Sequence, residues 1–288
     1  MTVVWAGLSV GAVYALIAIG YNITLTFGGT FNFAHGAFVV LAGFFTWFVV
    51  VEHGGPWWIA ALVGAAIGAL LAALEEIVAI RPVLRKASSH AILVTMVGSM
   101  VVIEGALMAS WGDEPRTVPF FGGQESLTLL NGRVTRVDLW LIGVAIVVGV
   151  GMHLFARRSL WGLAARGATS DPDAAKVRGI NVAGLRTTSF ALAGFLAGAL
   201  GPLIVPKTGA SVGMTITLTV FGFVALAVGG FGSFLGSIVG GVVIGMVQAV
   251  ANRYLGVEYP PLLLFGLLLL VLLLKPTGLF GQRGIRVV

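Results

Sequence analysis

Nine apolar stretches dominate the chain, at roughly 3–27, 31–51, 57–80, 90–110, 139–156, 187–205, 215–230, 233–251 and 260–275. A straight helix needs about 20 apolar residues to cross the hydrocarbon core of a bilayer, because it rises only about 1.5 Å per residue. Inside lipid the backbone finds no water to bond, so such segments fold as helices that close their own hydrogen bonds. The expectation is an all-α polytopic bundle of about eight or nine membrane segments, with residues 1–288 as one transmembrane domain. Several stretches are short or broken by glycine, which predicts half-helices or re-entrant pieces. Composition agrees: 10% of residues are charged, against about a quarter in soluble proteins. The 42 glycines fall largely inside apolar segments, where they allow helix backbones to approach closely. With no cysteine, disulfides, thiolate metal sites and cysteine nucleophiles are excluded. The first residues lack the basic start of a cleaved signal peptide and read as a retained span.

The basic residues set the orientation. They form three groups: Arg81, Arg85 and Lys86; Arg157, Arg158, Arg166, Lys176, Arg178 and Arg186; and Lys275, Arg283 and Arg286. If the segments alternate, these twelve of 17 basic residues share one side. By the positive-inside rule that side is cytoplasmic, with the N-terminus outside. Arg116, Arg133, Arg136, Lys207 and Arg253 fall on the opposite face. Scattered in this way, the net charge of +6 indicates topology and not nucleic-acid binding. The largest external segment is the loop 111–138, either a solvated loop or a docking surface for an external partner. Glu52 and Glu258 join that face.

The most polar run is Ala168 to Val182, within the inner loop 157–186. It predicts a short surface helix. Asp171 is placed to cap the first free N–H groups and Pro172 suits the first helical position. Asp173 lies at the positive end of the helix dipole, and Lys176 and Arg178 lie at the negative end. Gly179 closes the helix in the left-handed conformation. Two spans could be joined with far less, so a self-contained helix here is either a structured loop or a docking element.

Polar residues inside the apolar stretches are few. Asn32-Phe33-Ala34-His35-Gly36 follows Gly28-Gly29, which breaks the first helix. Polar groups in hydrocarbon usually face the bundle interior or a cavity, and free N–H groups at a helix start can receive a carboxylate. One reading places Asn32, Phe33, His35 and Gly36 on a translocation path. The other has Asn32 capping the second helix and His35 bonded to a carbonyl. Glu75 and Glu76 precede Arg81 and suggest an interfacial ion pair. Glu104 is expected near the outer face, and Gln248 and Asn252 as interhelical hydrogen-bonders. A faint internal echo links Gly28–Gly43 with Gly229–Gly245, and paired interrupted helices mark the substrate path in transporters. No GxxxxGK[ST] phosphate loop and no HExxH occur, and His35, His53, His90 and His153 lack metal-ligand spacing. A transporter without its own energy source implies an ATPase on another polypeptide. The rival classes are a stand-alone secondary transporter or channel, and an intramembrane enzyme.

Three motifs carry a family resemblance: Tyr14-Ala-Leu-Ile-Ala-Ile-Gly20-Tyr21 followed by Asn32–Gly36; Gly162-Leu-Ala-Ala-Arg166 leading through Asp173-Ala174-Ala175 to Gly179-Ile180-Asn181; and Gly229-Gly-Phe-Gly-Ser233 with Lys275-Pro-Thr-Gly-Leu-Phe280. In this order and over nearly the whole chain, they resemble the permeases of branched-chain amino acid ABC importers, the LivH type. The resemblance implies a bacterial inner-membrane permease with no catalysis of its own. It also implies a homologous second permease, two cytoplasmic ATPase subunits that bind the ATP and Mg, and an external substrate-binding protein. The Asp173-Ala174-Ala175…Gly179 spacing is similar to the EAA…G coupling loop of such permeases, with Asp in place of Glu. That would give Asp171, Asp173, Ala174, Ala175, Arg178 and Gly179 the ATPase contact. Substrates in this group include branched-chain and other amino acids, amides, urea, and small aromatic or carboxylic acids.

Overall fold

The computed structural model describes residues 1–86, 89–123, 125–129 and 131–281, and not the side chains of Arg85, Lys86, Ser89 and His90. Arg283 and Arg286 lie outside the described residues, as do the side chains of Arg85, Lys86 and His90. Among the described residues, seven helices are long and apolar enough to cross a membrane: Thr2–Gly28, His35–Glu52, Trp57–Leu84, Ala91–Trp111, Arg136–Arg158, Val182–Ala199 and Phe234–Tyr254. Met214–Gly229 and Pro260–Leu274 are shorter apolar helices. Together they correspond one for one to the nine apolar stretches. The protein is a multi-pass membrane bundle, helical among the described residues apart from one small hairpin and an isolated bridge between Arg116 and Ala210.

By contacts the chain divides into two compact units. The first comprises Met1–Asn22, Pro119–Phe155 and the described residues from Val220 on. The second comprises Ile23–Val118 and Ala156–Thr219.

In the first unit, helix α1 (Thr2–Gly28) packs through Gly7 and Gly11 against Gly241 and Gly245 of a later helix, Phe234–Tyr254. A Cβ on Gly245 would lie 2.3 Å from the Gly7 carbonyl oxygen. Backbones this close explain why glycine, and no larger residue, occupies the seam. The expected outer loop contains strands β1 (Ser126–Leu129) and β2 (Gly132–Thr135), an antiparallel pair. The hairpin rests on the start of α1: Trp5 donates to the Leu129 carbonyl and the Arg133 N–H donates to Thr2. Helix α6 (Arg136–Arg158) follows directly. Asp138 accepts from the Thr135 N–H at 2.9 Å and its hydroxyl at 2.7 Å, which ties the residue ahead of the helix to its first turn. The buried Asp138 also accepts from Ser9 of α1. Tyr14 donates to Gln248 at 2.7 Å, so Gln248 does bridge helices.

In the second unit, α2 (His35–Trp47) runs on through a π-helical turn, Phe48–Glu52. Helix α3 (Trp57–Glu75) continues through a second π-helical turn, Glu76–Ile80, into α4 (Arg81–Lys86). Helix α5 (Ser89–Trp111) completes this half of the unit. Then come α7 (Leu160–Ser170), α8 (Pro172–Val177), α9 (Val182–Ala199) and α10 (Gly201–Thr208). The single stretch expected at 187–205 is thus two helices, broken where Leu200 closes α9 ahead of Gly201-Pro202. Helices α3 and α9 cross with Gly64 on Gly198 and Gly68 on Gly194; a Cβ on Gly198 would lie 1.9 Å from the Gly64 oxygen. Phe44, Phe45 and Phe48 gather round Trp111 at one end. There Arg116 stacks 4.6 Å over Trp47 and exchanges backbone bonds with Ala210. The Arg81 and Arg186 side chains lie at the opposite end, as alternation requires. Helix α11 (Met214–Gly229) contributes to both units, and α12 (Phe234–Tyr254) and α13 (Pro260–Leu274) belong to the first.

Candidate functional site

The path candidates stand at the break between α1 and α2. Helix α1 ends at Gly28, and Gly29 turns the chain at φ 69°. Asn32 and His35 are each 1% exposed. Asn32 does not cap α2 in the usual manner. Its Oδ1 accepts from the Ala34 N–H at 2.9 Å, and Ala34 is the residue that opens α2, with no side-chain cap on the first turn. The other end of Asn32 donates to Glu75 Oε2 at 2.7 Å. Phe33 is half-buried and meets Phe31 edge-on at 4.6 Å. Gly36 lies flat against α11: a Cβ there would fall 2.1 Å from the Thr219 hydroxyl. The four residues are therefore gathered on one turn, with Asn32, His35 and Gly36 closed off from solvent.

The inner polar run folds as its residues predict. Asp171 accepts from the Ala174 N–H at 2.9 Å, Pro172 holds the first helical position, and Gly179 turns at φ 80°. Asp173 pairs with Lys176 at 2.9 Å on an exposed face. A pair this open contributes at most a few tenths of a kcal/mol. Only Ala175 of α8 is buried, while Asp171, Asp173, Ala174, Arg178 and Gly179 face outward. Not anticipated was α7, which makes most of the 157–186 segment helical. The amphipathic α7 leaves Leu160 at 86% exposure, and Val177 of α8 reaches 90%.

This element is fastened to the break. Trp161 meets Phe27 edge-on at 5.1 Å, and Thr169 donates to the Thr26 carbonyl at 3.2 Å. A Cβ on Gly29 would touch Thr169 at 3.3 Å. Asn181 caps α9 by accepting from the Gly184 N–H at 2.9 Å. Between Trp161 and this start of α9 lies an open recess of ≈ 320 Å³.

A second cluster went unseen in the sequence beyond the expected pairing of Glu75 and Glu76 with Arg81, which only Glu76 makes. Glu76, fully buried, accepts from Arg81 Nε at 3.2 Å and Nη2 at 2.7 Å, from Arg186 Nε at 2.9 Å and from Thr187 at 2.7 Å. Its neighbour Glu75 faces the other way, to Asn32. The only signal was an adjacent Glu-Glu in an apolar segment. Arg186 lies 110 positions away, so nothing local could pair it. Both carboxylates border the π-helical turn, a feature common at functional sites.

The third motif also assembles in space. The Leu279 and Phe280 N–H groups donate to the carbonyls of Val228 and Gly229 at 2.9 Å each. Gly278 and Gly281 pack on Gly230, where a side chain would collide. Asn22 fixes the same turn, bonding Ser237 at 2.7 Å and accepting from the Gly232 N–H at 2.7 Å. The internal echo thus has a structural counterpart: α1 ends at Gly28 and α11 at Gly229, each followed by a positive-φ glycine and a glycine-rich helix. Two GxSxG runs, Gly7–Gly11 and Gly209–Gly213, sit on no strand-to-helix elbow; Ser9 lies within α1, bonded to Asp138. Among the described residues no group of three His, Asp or Glu side chains could hold a metal ion.

Comparison with known proteins agrees with this architecture. The chain is 31% identical to the high-affinity branched-chain amino acid transport system permease protein BraD of Pseudomonas aeruginosa, over 96% of this chain and 94% of that protein. It is 29% identical to LivH of Salmonella typhimurium, with the same coverage. A more distant relative, a probable branched-chain amino acid permease LivH of Methanocaldococcus jannaschii, is 24% identical over 94% of this chain and 87% of its own length. Among solved structures, PsaBC from Streptococcus pneumoniae in complex with Fab superposes with a TM-score of 0.50 at 12% identity, covering 94% of this chain and 91% of that one; this likeness concerns the fold alone. The family model described as branched-chain amino acid transport system / permease component matches residues 3–273, and the chain belongs to that family of membrane transport subunits.

Proposed function

We propose that the protein is the permease subunit of an ATP-binding-cassette importer in the bacterial inner membrane, carrying branched-chain or other hydrophobic amino acids or a related small carboxylate or amide. ATP hydrolysis belongs to two partner subunits that dock on α7 and α8 from the cytoplasm. A second, homologous permease completes the path, and an external binding protein delivers solute near the 111–138 hairpin. One observation carries this reading. Helix α8 is capped at both ends and exposed except for Ala175, yet α7 beside it is bonded to Thr26 at the end of α1. A push on that helix would reach the Gly28–Ala34 break with little slack, because α7 abuts the break directly. Closure of the ATPases would then shift the segment carrying Asn32, Phe33, His35 and Gly36 and change which side the path opens to.

The test reverses charge at Asp173 and Arg178 together and measures both co-purification of the ATPase subunits and ATP-driven uptake in proteoliposomes. Loss of association with an intact, folded chain is the expected result. Normal association and uptake would remove the docking role. Uptake by the purified chain without ATP or partners would instead favour a stand-alone transporter.

A further inference from the structure

The turn from α6 into α7 lies where a membrane span ends. The last turn of the spanning helix α6 carries Arg157 and Arg158, both exposed. A single residue, Ser159, then caps α7 by accepting from the Gly162 N–H at 2.9 Å. Leu160 therefore begins α7 within about 7 Å of the last residue of α6, close to the plane at which α6 leaves the bilayer.

Helix α7 is amphipathic in the sense opposite to a helix in water. Its buried positions are Gly162, Ala165 and Ala168, spaced three apart. Its leucines point outward, Leu160 at 86% exposure and Leu163 at 44%. A helix facing water turns its large apolar residues inward, whereas one lying in a membrane interface turns them to lipid and flanks them with basic residues. That flanking charge is present. Besides Arg157 and Arg158, Arg166 stands about one turn beyond Leu163, and its buried Nε has no acceptor. No acidic residue occurs between Asp138 and Asp171, and among the described residues no carboxylate pairs with any of these three arginines. On α8, by contrast, Asp173 is balanced by Lys176. Uncompensated guanidinium groups beside bare leucines at a membrane boundary match one chemistry: acyl chains under a negatively charged phosphate headgroup.

We propose that the start of α7 is a binding site for an anionic phospholipid of the cytoplasmic leaflet, with Leu160 and Leu163 among the acyl chains and Arg157, Arg158 and Arg166 on the headgroup phosphate. The lipid holds the outward face of the lever while Thr169 fastens its inward face to Thr26. This goes beyond the importer reading, which leaves α8 and the far end of α7 to the ATPases.

With no native cysteine, Leu160→Cys accepts a single bimane fluorophore in the complete transporter, reconstituted in phosphatidylcholine vesicles. Quenching is titrated with acyl-brominated phosphatidylglycerol and, separately, with acyl-brominated phosphatidylcholine. Either lipid quenches a probe that sits among acyl chains, and the difference between them reads selection by charge. The phosphatidylglycerol should reach equal quenching at a fraction about fivefold lower or less, since one arginine near the surface attracts anionic lipid by about 1 kcal/mol. Adding Arg157→Gln and Arg158→Gln should bring the two curves together and leave quenching by phosphatidylcholine in place. The same probe at Val177→Cys, 90% exposed on α8, should be quenched by neither lipid. Coincident curves for the parent, a preference that survives both arginine changes, equal quenching at Val177 and Leu160, or no quenching at Leu160 would each overturn the proposal. In the last case, quenching that returns once the ATPase subunits are stripped would assign the leucines to the ATPase contact instead.

Discussion

Replacing Glu76 by Gln removes one charge and one acceptor from a fully buried position while keeping its shape. The native carboxylate accepts four hydrogen bonds, three from guanidinium groups and one from Thr187. A Gln amide offers one oxygen, and its NH2 would point at donors that it cannot satisfy. Removing one partner of a buried ion pair costs about 3–5 kcal/mol. Here Arg81 and Arg186 side chains retain 25% and 18% exposure and regain some water, so about 2–4 kcal/mol is expected. For a chain of this size that corresponds to a fall in melting temperature of roughly 5–12 °C in detergent. Glu75→Gln is the internal control one residue away. Its amide oxygen still accepts from Asn32, so its stability should change by less than about 1 kcal/mol. A double-mutant cycle of Glu76→Gln with Arg186→Gln, read by thermal melting, should give a coupling of about 1–3 kcal/mol. Melting of Glu76→Gln within about 1 °C of wild type, or two strictly additive single changes, would refute the claim that this ion pair holds α3 to α9.

Gly198→Val should disrupt the α3–α9 crossing. Its Cβ would start 1.9 Å from the Gly64 oxygen, so overpacking of about 1–3 kcal/mol or more is expected, seen as loss of monodisperse protein on gel filtration. Asp171→Ala removes the cap on Ala174 and should cost about 1 kcal/mol locally. Measured as weaker ATPase-subunit co-purification, with unchanged melting of the whole chain, it separates the lever from the bundle. Asp138→Asn weakens both the α6 cap and the bond from Ser9, so a loss of about 1–3 kcal/mol in thermal stability is expected. Asn32→Ala should lower uptake while leaving complex assembly intact; normal uptake kinetics would remove this residue from the path.

The geometry also explains why the three sequence motifs occur together in one chain. The first supplies the break and its Asn32. The second supplies the lever, whose Thr169 touches that break. The third locks the end of α11 to the C-terminal turn through two backbone bonds. The third is glycine-rich where backbones meet closely, as at Gly230, which lies against Gly281.

Hydropathy alone determined the helical class and the nine apolar segments, because lipid permits no unsatisfied backbone. Local chemistry alone determined α8, since Asp171, Pro172 and Gly179 act within one turn of themselves. Neither contains long-range information. That Glu75 turns to Asn32 while Glu76 turns to Arg186 was decided only in the tertiary structure: adjacent helical side chains point about 100° apart, and the partners lie 43 and 110 positions away. The ion pair expected of Glu75 and Glu76 with Arg81 forms through Glu76 alone, and its second guanidinium, Arg186, comes from the far side of the lever. The hairpin at 126–135 and helix α7 were equally hidden. The strands are too short to show a pattern of their own, and the hairpin and α7 are held by Trp5, Thr2, Phe27 and Thr26, contacts that exist only once α1 is in place.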